Sequence, residues 1–198
     1  MMRILHQISV ALWFGSVVFF SVAGLLLFQA FEAVALSPER PAWLPVVPLY
    51  SGTPPEGFPE PLAREQGSRA AGVAVSAIFP FYFALQSVCA VLALATAWSL
   101  GGTWRKGLCL LGLLLALSGW GLERYVHQLR GPRNEWTDAA LADPTPAKLV
   151  QARAARAAFG QWHGISLLGN FATLGVTLAL VALPWSESKT EPGPKSPE

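Results

Sequence analysis

The fold is decided by residues 8–31, ISVALWFGSVVFFSVAGLLLFQAF, a run without a single Asp, Glu, Lys or Arg. Three more stretches share this property, at 70–104, 107–122 and 157–186. A bilayer core is about 30 Å thick, and a helix of about 20 apolar residues crosses it with its backbone hydrogen bonds satisfied internally. The third stretch reaches this length when it is extended to 104–126, because charged side chains at its ends can reach water. The sequence therefore predicts four membrane-spanning helices.

We assign the fold class as an all-α integral membrane protein, a four-helix transmembrane bundle. Residues 1–186 form this single domain, and residues 187–198 form a polar tail that we expect to be disordered. The first run is longer than the apolar core of a signal peptide, about 7–15 residues, so we interpret it as a retained span. The expected spans are 6–31, 72–100, 104–126 and 160–185.

Composition agrees with a membrane protein and argues against other classes. Charged residues make up 13% of the 198 residues, whereas soluble domains average about 25%. The net charge is +2 and the basic residues are dispersed, so we expect the lipid bilayer as a partner and no nucleic acid. Protein partners stay unknown, and a homo-oligomer is one alternative. Cys89 and Cys109 fall at different depths of their spans, which predicts two free thiols.

The connections carry the helix boundary signals. Eight of the sixteen prolines lie within 38–61, which predicts a long first loop that is extended at 41–50 and turns at 53–57. Gly101 and Gly102 predict the end of the second span. The third connection is expected to be partly helical, with one helix broken at Gly131-Pro132. A second helix would begin at Pro146, behind a Thr145 N-cap, and run into the fourth span.

Membrane orientation is a matter of opposing signals. Four spans place both termini on one side, with five Lys and Arg residues there and nine on the loop side. The count favours cytoplasmic loops, whereas Arg3 at the leading end of the first helix and the tight Arg105-Lys106 turn favour cytoplasmic termini. We expect both termini in the cytoplasm, since the first helix usually dominates orientation.

The fourth span carries the clearest polar pattern. Its polar residues recur at intervals of three or four, which places them on one face that should turn away from lipid. Gln86 and Ser87 of the second span are expected to meet this face, and Gly160, Gly164, Gly169 and Gly175 are expected to allow close helix approach. The face serves either helix packing or the binding of a small ligand. It comprises His163, Ser166, Asn170, Thr173 and Thr177. A weaker pattern of the same kind in the first span comprises His6, Ser9, Trp13 and Ser16.

Histidines raise the alternative of a haem or metal ion, because bundle cofactors are held by inward side chains of neighbouring helices. Topology puts His6 at one end of the bundle and His163 at the other. His127, His163 and Glu123 share one end, so they form the candidate site for a haem or a metal, or for a network of hydrogen bonds and ion pairs. Our primary expectation is that no cofactor is bound.

No sequence motif indicates an enzyme. The chain lacks a P-loop and the HExxH, CxxC and GxSxG patterns, and no carboxylate or Lys lies near the middle of a span. Active transport is therefore disfavoured. We expect a non-enzymatic membrane protein, with facilitated transport of a small molecule through the bundle as a further alternative.

Three phrases resemble the transmembrane protein 205-like family, namely LWFGS at 12–16, IFPFYF at 78–83 and HGIS at 163–166 followed by Asn170. The resemblance extends over all four spans. It implies a four-span fold of unassigned molecular activity, in a family whose vertebrate members are associated with drug resistance. The long first and third loops depart from the family pattern. The helical outline also resembles copper-resistance and haem-pathway membrane proteins, which is the analogy behind the haem alternative.

Overall fold

The computed structural model describes residues 1–36 and 60–183, with the side chains of 60–63 excepted. Its helices are α1 (Met2–Leu36), α2 (Glu60–Leu100), α3 (Thr103–Ala142) and α4 (Pro146–Ala182). All four are long and apolar enough to cross a membrane, and the described residues contain no strand. The prediction of an all-α four-helix transmembrane bundle is confirmed. The chain is a multi-pass integral membrane protein.

The helices alternate in direction and pack in cyclic order. α1 packs mainly on α2 and α3 mainly on α4, while α2 with α3 and α1 with α4 close the ring. At one end, which we call the terminal end, His6 of α1 lies beside Thr96 of α2, with Nδ1 and Oγ1 2.8 Å apart. The other end, which we call the loop end, contains the C-termini of α1 and α3 and the N-termini of α2 and α4.

Each helix is longer than a bilayer crossing requires. Helices of 35 to 41 residues span roughly 53–62 Å at a rise of about 1.5 Å per residue, about twice the thickness of the hydrocarbon core. Apart from Arg105 and Lys106 at the start of α3, the described charged residues of α2, α3 and α4 lie towards the loop end. This end therefore projects from the membrane as a helical extension of the bundle.

Two predictions about the connections were wrong. The first loop is shorter than expected, since α1 continues to Leu36 and α2 starts at Glu60; the expected extended segment at 41–50, the turn at 53–57 and the tail at 187–198 lie outside the described residues. Gly131-Pro132 does not end α3, although an interior proline costs about 3 kcal/mol through its missing amide donor. Packing offsets that penalty, because Thr137 and Ala140 beyond the proline are buried.

Other boundary signals act as predicted. Gly101 and Gly102 adopt φ of +79° and +88° between α2 and α3, a conformation that side chains disfavour. Thr145 caps α4 by accepting a hydrogen bond from the Lys148 amide at 3.4 Å, with Pro146 in the first turn. Cys89 and Cys109 are buried free thiols, as expected. Which side of the membrane the termini occupy remains a prediction, as does the homo-oligomer.

Close helix approach occurs at glycines other than those predicted. A Cβ added at Gly160, Gly164, Gly169 or Gly175 would meet no atom within 4 Å, so the expectation for these positions was wrong. They lie off the packed face of α4. The tight positions are Gly67 against the backbone of α1, Gly112 against the Trp13 indole, and Gly119 against Phe83.

The terminal half of the bundle has an apolar core around the fully buried Trp13 indole. Trp13 belongs to one buried cluster with residues of all four helices, among them Val17, Ala90, Cys109 and Val176. His6 and Ser9, from the weaker polar pattern of α1, are buried as well. The core around Trp13 is closely packed, whereas the loop half contains a cavity whose lining combines apolar side chains with charged ones.

Candidate functional site

The polar face of α4 points into the bundle, as predicted. Thr173 and Thr177 are buried, and both hydroxyls donate to carbonyls of the preceding turn of their own helix. His163 and Ser166 are half-buried nearer the loop end. The face therefore divides into a packed part within the core and a more open part towards the loop end.

Asn170, midway along this face, connects three helices. Its Nδ2 donates to Ser21 Oγ of α1 at 2.9 Å, and its Oδ1 accepts a short hydrogen bond from the Tyr82 hydroxyl of α2. The Tyr82 ring stacks on Phe20 with centroids 4.0 Å apart. Gln86, one turn further along α2, is buried and its Nε2 has no hydrogen-bond partner among the described residues. Asn170 thus joins α4 to α1 and α2, which is the packing role that was one of the two expected of this face.

We expect Asn170→Ala to lower the free energy of unfolding by about 1–2 kcal/mol, because it removes two interhelical hydrogen bonds and such bonds in membranes contribute about 0.6–1.7 kcal/mol each. Thermal unfolding of the detergent-solubilised protein measures the change. Ser166→Ala is the control on the same face, since Ser166 makes no hydrogen bond to the described residues. Equal midpoints for the two variants would contradict the packing role.

A cavity of about 190 Å³ lies near the loop end and receives residues from all four helices. We call it the four-helix cavity. It lies where the apolar segments of the helices meet their charged extension. Its polar lining comes from α2, α3 and α4, and its apolar lining includes aromatic rings of α1, α2 and α4. The residues are Phe28, Ser68, Arg69, Gly72, Val73, Val75, Phe79, Glu123, Arg130, Arg133, Asn134, Phe159 and His163.

Two of the cavity arginines belong to a network centred on Glu65. The Glu65 carboxylate accepts from Arg69 Nε at 2.9 Å and from Arg133 Nη2 at 2.9 Å, and Arg156 Nη2 lies 3.4 Å away. Arg69 also binds Asp138, with Nη2 and Oδ1 2.8 Å apart. The network joins α2, α3 and α4 and holds the Arg69 and Arg133 side chains in fixed positions beside the cavity.

Arg130 is held differently. Its Nη1 donates to Ser76 Oγ at 2.5 Å and to the Gly72 carbonyl at 3.3 Å, both on α2. Within the part of the chain that the structure describes, no carboxylate lies within ion-pair distance of it. Arg130 therefore brings a positive charge to the cavity that no neighbouring carboxylate pairs directly.

Glu123 is the most unusual residue of the site. It is 7% exposed and lines the cavity, yet it makes no hydrogen bond or ion pair with any described residue. Its carboxyl oxygens stay accessible from the cavity, so a water molecule or a ligand there can be their hydrogen-bond donor. A structural role in packing does not need a carboxyl group here, whereas a ligand with a hydrogen-bond donor would satisfy it.

His127 and His163 line two different cavities, and Glu123 lines both of them. His163 lies in the four-helix cavity and stacks on Phe159 with centroids 5.6 Å apart. His127 lies in a second cavity between α2 and α3, which Glu123 also lines. Among the described residues, no three His, Cys, Asp or Glu side chains are grouped to hold a metal ion. The haem or metal assignment of His127, His163 and Glu123 remains a prediction.

A transport pathway would have to cross the apolar core. The four-helix cavity is at the loop end, whereas another cavity, of about 230 Å³, lies beside His6 and Leu180 at the terminal end. Buried Trp13, Val17 and Val176 occupy the bundle between them. Facilitated transport therefore requires this core to open, and it too remains a prediction.

Comparison with protein families gives one result. Residues 61–130 match DUF4149, a domain of unknown function. The DUF4149 match covers α2 and the part of α3 that ends at Arg130, so it includes Arg69, Glu123 and Arg130 but not His163. It fits an integral membrane protein of unassigned activity and does not single out the transmembrane protein 205-like family. No curated protein and no solved structure was found to match the chain.

Sequence reasoning found Glu123 and His163 but missed the arginines that line the cavity with them. Arg69 and Arg133 stood in regions read as loops, where charged residues are expected on the surface. For Arg133 the signal was its spacing of three from Arg130, which places both residues on one face of a helix. Arg69 had no such signal. That spacing has meaning only once the helix is known to continue through Pro132.

Proposed function

We propose that this protein is a non-enzymatic membrane protein that binds a small ligand in the four-helix cavity. The observation that supports this most is Glu123, a residue 7% exposed whose carboxyl group has no hydrogen-bond or ion-pair partner among the described residues and faces a cavity contributed by all four helices. His163 lines the same space, so the loop-end part of the polar face of α4 takes part in binding. Asn170 then positions the helices around the ligand through its hydrogen bonds to Ser21 and Tyr82. We extend the proposed binding face to Ser166, Thr173 and Gln86.

The size of the cavity limits what can be enclosed. Pockets for drug-sized molecules measure about 300–1,000 Å³, and this cavity has about 190 Å³. A polar group of a few heavy atoms fits, with the rest of the ligand extending outside. A haem held by His163 would require the helices to separate, which makes the haem alternative the weaker proposal.

The relation to the transmembrane protein 205-like family is also a proposal. It is supported by the phrase at 78–83, which lies within the DUF4149 match and supplies Phe79 to the cavity and Tyr82 to the Asn170 hydrogen bond. The phrase that starts at His163 supplies a second cavity residue. Two of the three shared phrases therefore meet at the proposed site.

Filling the cavity tests the function. A Cβ added at Gly72 meets no atom within 4 Å, so Gly72→Leu is expected to fill cavity space without a clash. We expect the wild-type protein to retain a small molecule after purification, detected by native mass spectrometry, and Gly72→Leu to reduce its occupancy at least tenfold. The thermal midpoint of the empty variant should stay within a few degrees of the empty wild type.

Gly121→Leu is the matched control, because Gly121 is exposed and also has open space at its Cβ. It should retain the ligand. Absence of any bound molecule in the wild type, or equal occupancy in both variants, would reject the proposed function. An absorption spectrum of the same preparation covers the alternative, since a Soret band lost in His163→Ala would favour haem.

A further inference from the structure

We propose that the ligand is a phosphate ester of an amphiphile, held by the guanidinium groups of Arg130 and Arg133, with a free hydroxyl group donating to Glu123. This inference rests on the proposed function and names the chemical class of its ligand. It is carried by the charge around the cavity, the fixed positions of the arginines, the depth of Glu123 and the apolar side of the cavity.

The charges beside the cavity leave an excess of positive charge. Arg69, Arg133 and Arg156 share two carboxylates, those of Glu65 and Asp138, so this network keeps one uncompensated positive charge. Arg130 adds a second. Glu123 is the carboxyl group that remains, and it is not within ion-pair distance of any described arginine. A dianionic or monoanionic group is therefore favoured in this space over a cation.

The two arginines are held ready for a planar or tetrahedral oxyanion. Arg130 uses its Nη1 for Ser76 and Gly72, which leaves its Nε and Nη2 donors for a ligand. Arg133 is fixed by Glu65, by Asn134 Oδ1 at 3.1 Å from its Nη1, and by the Phe159 ring 5.4 Å away. Phosphate oxygens are the usual partners of guanidinium groups held in this way.

The level of the site in the membrane favours a lipid as the source of the phosphate. Phe28 and Val73 are 36% and 57% exposed, and both lie in the apolar stretches of their helices. They connect the cavity with the surrounding hydrocarbon. A volume of about 190 Å³ encloses a head group and leaves acyl chains in the bilayer.

Glu123 adds a second element of recognition. It precedes Arg130 by seven residues, about 10 Å along α3 towards the middle of the bilayer. In a phospholipid the glycerol part lies deeper than the phosphate, so a free glycerol hydroxyl would reach the level of Glu123. An ester at this position would leave the carboxyl group without a donor and would therefore bind more weakly.

Four probes separate the elements of this proposal in the full-length protein. Oleoyl-glycerophosphate contains the phosphate, a free hydroxyl and one chain. Dioleoyl-glycerophosphate lacks the hydroxyl, oleoyl-glycerol lacks the phosphate, and glycerol 3-phosphate lacks the chain. Dissociation constants are measured by native mass spectrometry on delipidated protein.

We expect the first probe to bind at least tenfold more tightly than oleoyl-glycerol and severalfold more tightly than the dioleoyl compound. Arg130→Gln should weaken it at least tenfold, with partial recovery in Arg130→Lys, and Glu123→Leu should abolish the preference for the free hydroxyl. Arg124→Gln is the matched control, because Arg124 is exposed over the Trp120 ring and lies outside the four-helix cavity.

Equal affinity for oleoyl-glycerol and oleoyl-glycerophosphate would overturn the proposal even if a variant failed to fold, because this comparison uses the wild type alone. A loss of binding in Arg124→Gln but not in Arg130→Gln would also overturn it, in favour of the second cavity. Glycerol 3-phosphate binding as tightly as the lipid would support phosphate recognition and identify a soluble source. A neutral ligand displaced by Gly72→Leu would leave the proposed function intact and reject only the phosphate.

Discussion

Glu65→Gln is expected to lower the free energy of unfolding by about 3 kcal/mol, which corresponds to a fall of roughly 6–12 °C in the thermal midpoint. The Glu65 carboxylate is 10% exposed and lies within ion-pair distance of three arginines from α2, α3 and α4. Gln keeps the shape and removes the charge, so Arg69, Arg133 and Arg156 then repel one another. Thermal unfolding in detergent measures the change.

Glu135→Gln is the control for this substitution. Glu135 is exposed on the same charged extension of α3 and makes no ion pair with the described residues. Its replacement should change the free energy of unfolding by less than about 0.5 kcal/mol. The double variant Glu65→Gln, Arg156→Gln should recover part of the loss, because it removes one of the repelling charges. A Glu65 variant as stable as the Glu135 variant would show that this network does not hold the extension together.

The membrane-spanning part of the fold follows from the sequence because it depends on a property summed over many residues. No single side chain decides whether the run at 8–31 crosses a bilayer, so the four spans were predicted from the absence of charge alone. Helix ends that depend only on neighbouring residues could also be predicted. Gly101-Gly102 and the Thr145 cap are of this kind, since each acts within one turn of the chain.

The charged extension could not be predicted in the same way. A polar segment such as 127–142 has no apolar stripe strong enough to mark it as part of a bundle, and Gly131-Pro132 within it is a local signal for a helix end. The helix is retained through tertiary contacts, among them the ion pair of Arg69 with Asp138, which lies 69 residues further along the chain. Contacts between residues this far apart in the chain cannot be predicted from a pattern of neighbouring residues.

The candidate site illustrates the same division. The polar face of α4 was predicted from its spacing, and its inward direction follows from the cost of placing polar groups against lipid. The grouping of His127 with His163 was inferred from their common end of the bundle, but a common depth does not fix the rotation of a helix about its axis. Of the three residues, Glu123 lines both cavities, whereas His163 and His127 line one each.

Glycines show how rotation decides the outcome. The glycines of α4 were selected because glycine permits the close approach of two helices. A Cβ added at any of them would meet no atom within 4 Å, so no helix packs closely there. Gly67 was not selected, because it stood in a segment interpreted as a loop. It is the position at which the backbones of α1 and α2 come nearest among the described glycines.

We therefore expect Gly67→Val to destabilise the protein by about 3 kcal/mol, at the upper end of the range of about 1–3 kcal/mol for overpacking. A Cβ at this position would lie 2.8 Å from the Phe31 carbonyl oxygen and 2.9 Å from Glu32 Cα. Both are backbone atoms, so no side chain can rotate away and α1 must move as a whole. Thermal unfolding and the protease sensitivity of the loop end measure the effect.

Gly15→Val on α1 is the matched control, because a Cβ there meets no atom within 4 Å. Its effect should stay within about 0.5 kcal/mol, since valine is no worse than glycine in a helix. Gly67→Ala should fall between the two, as it places the same Cβ but gains up to about 1 kcal/mol of helix propensity. If both valine variants unfolded at the same temperature, the close approach of α1 and α2 at Gly67 would be wrong. That result would also change the lining of the four-helix cavity, because Phe28 of α1 and Gly72 of α2 both line it.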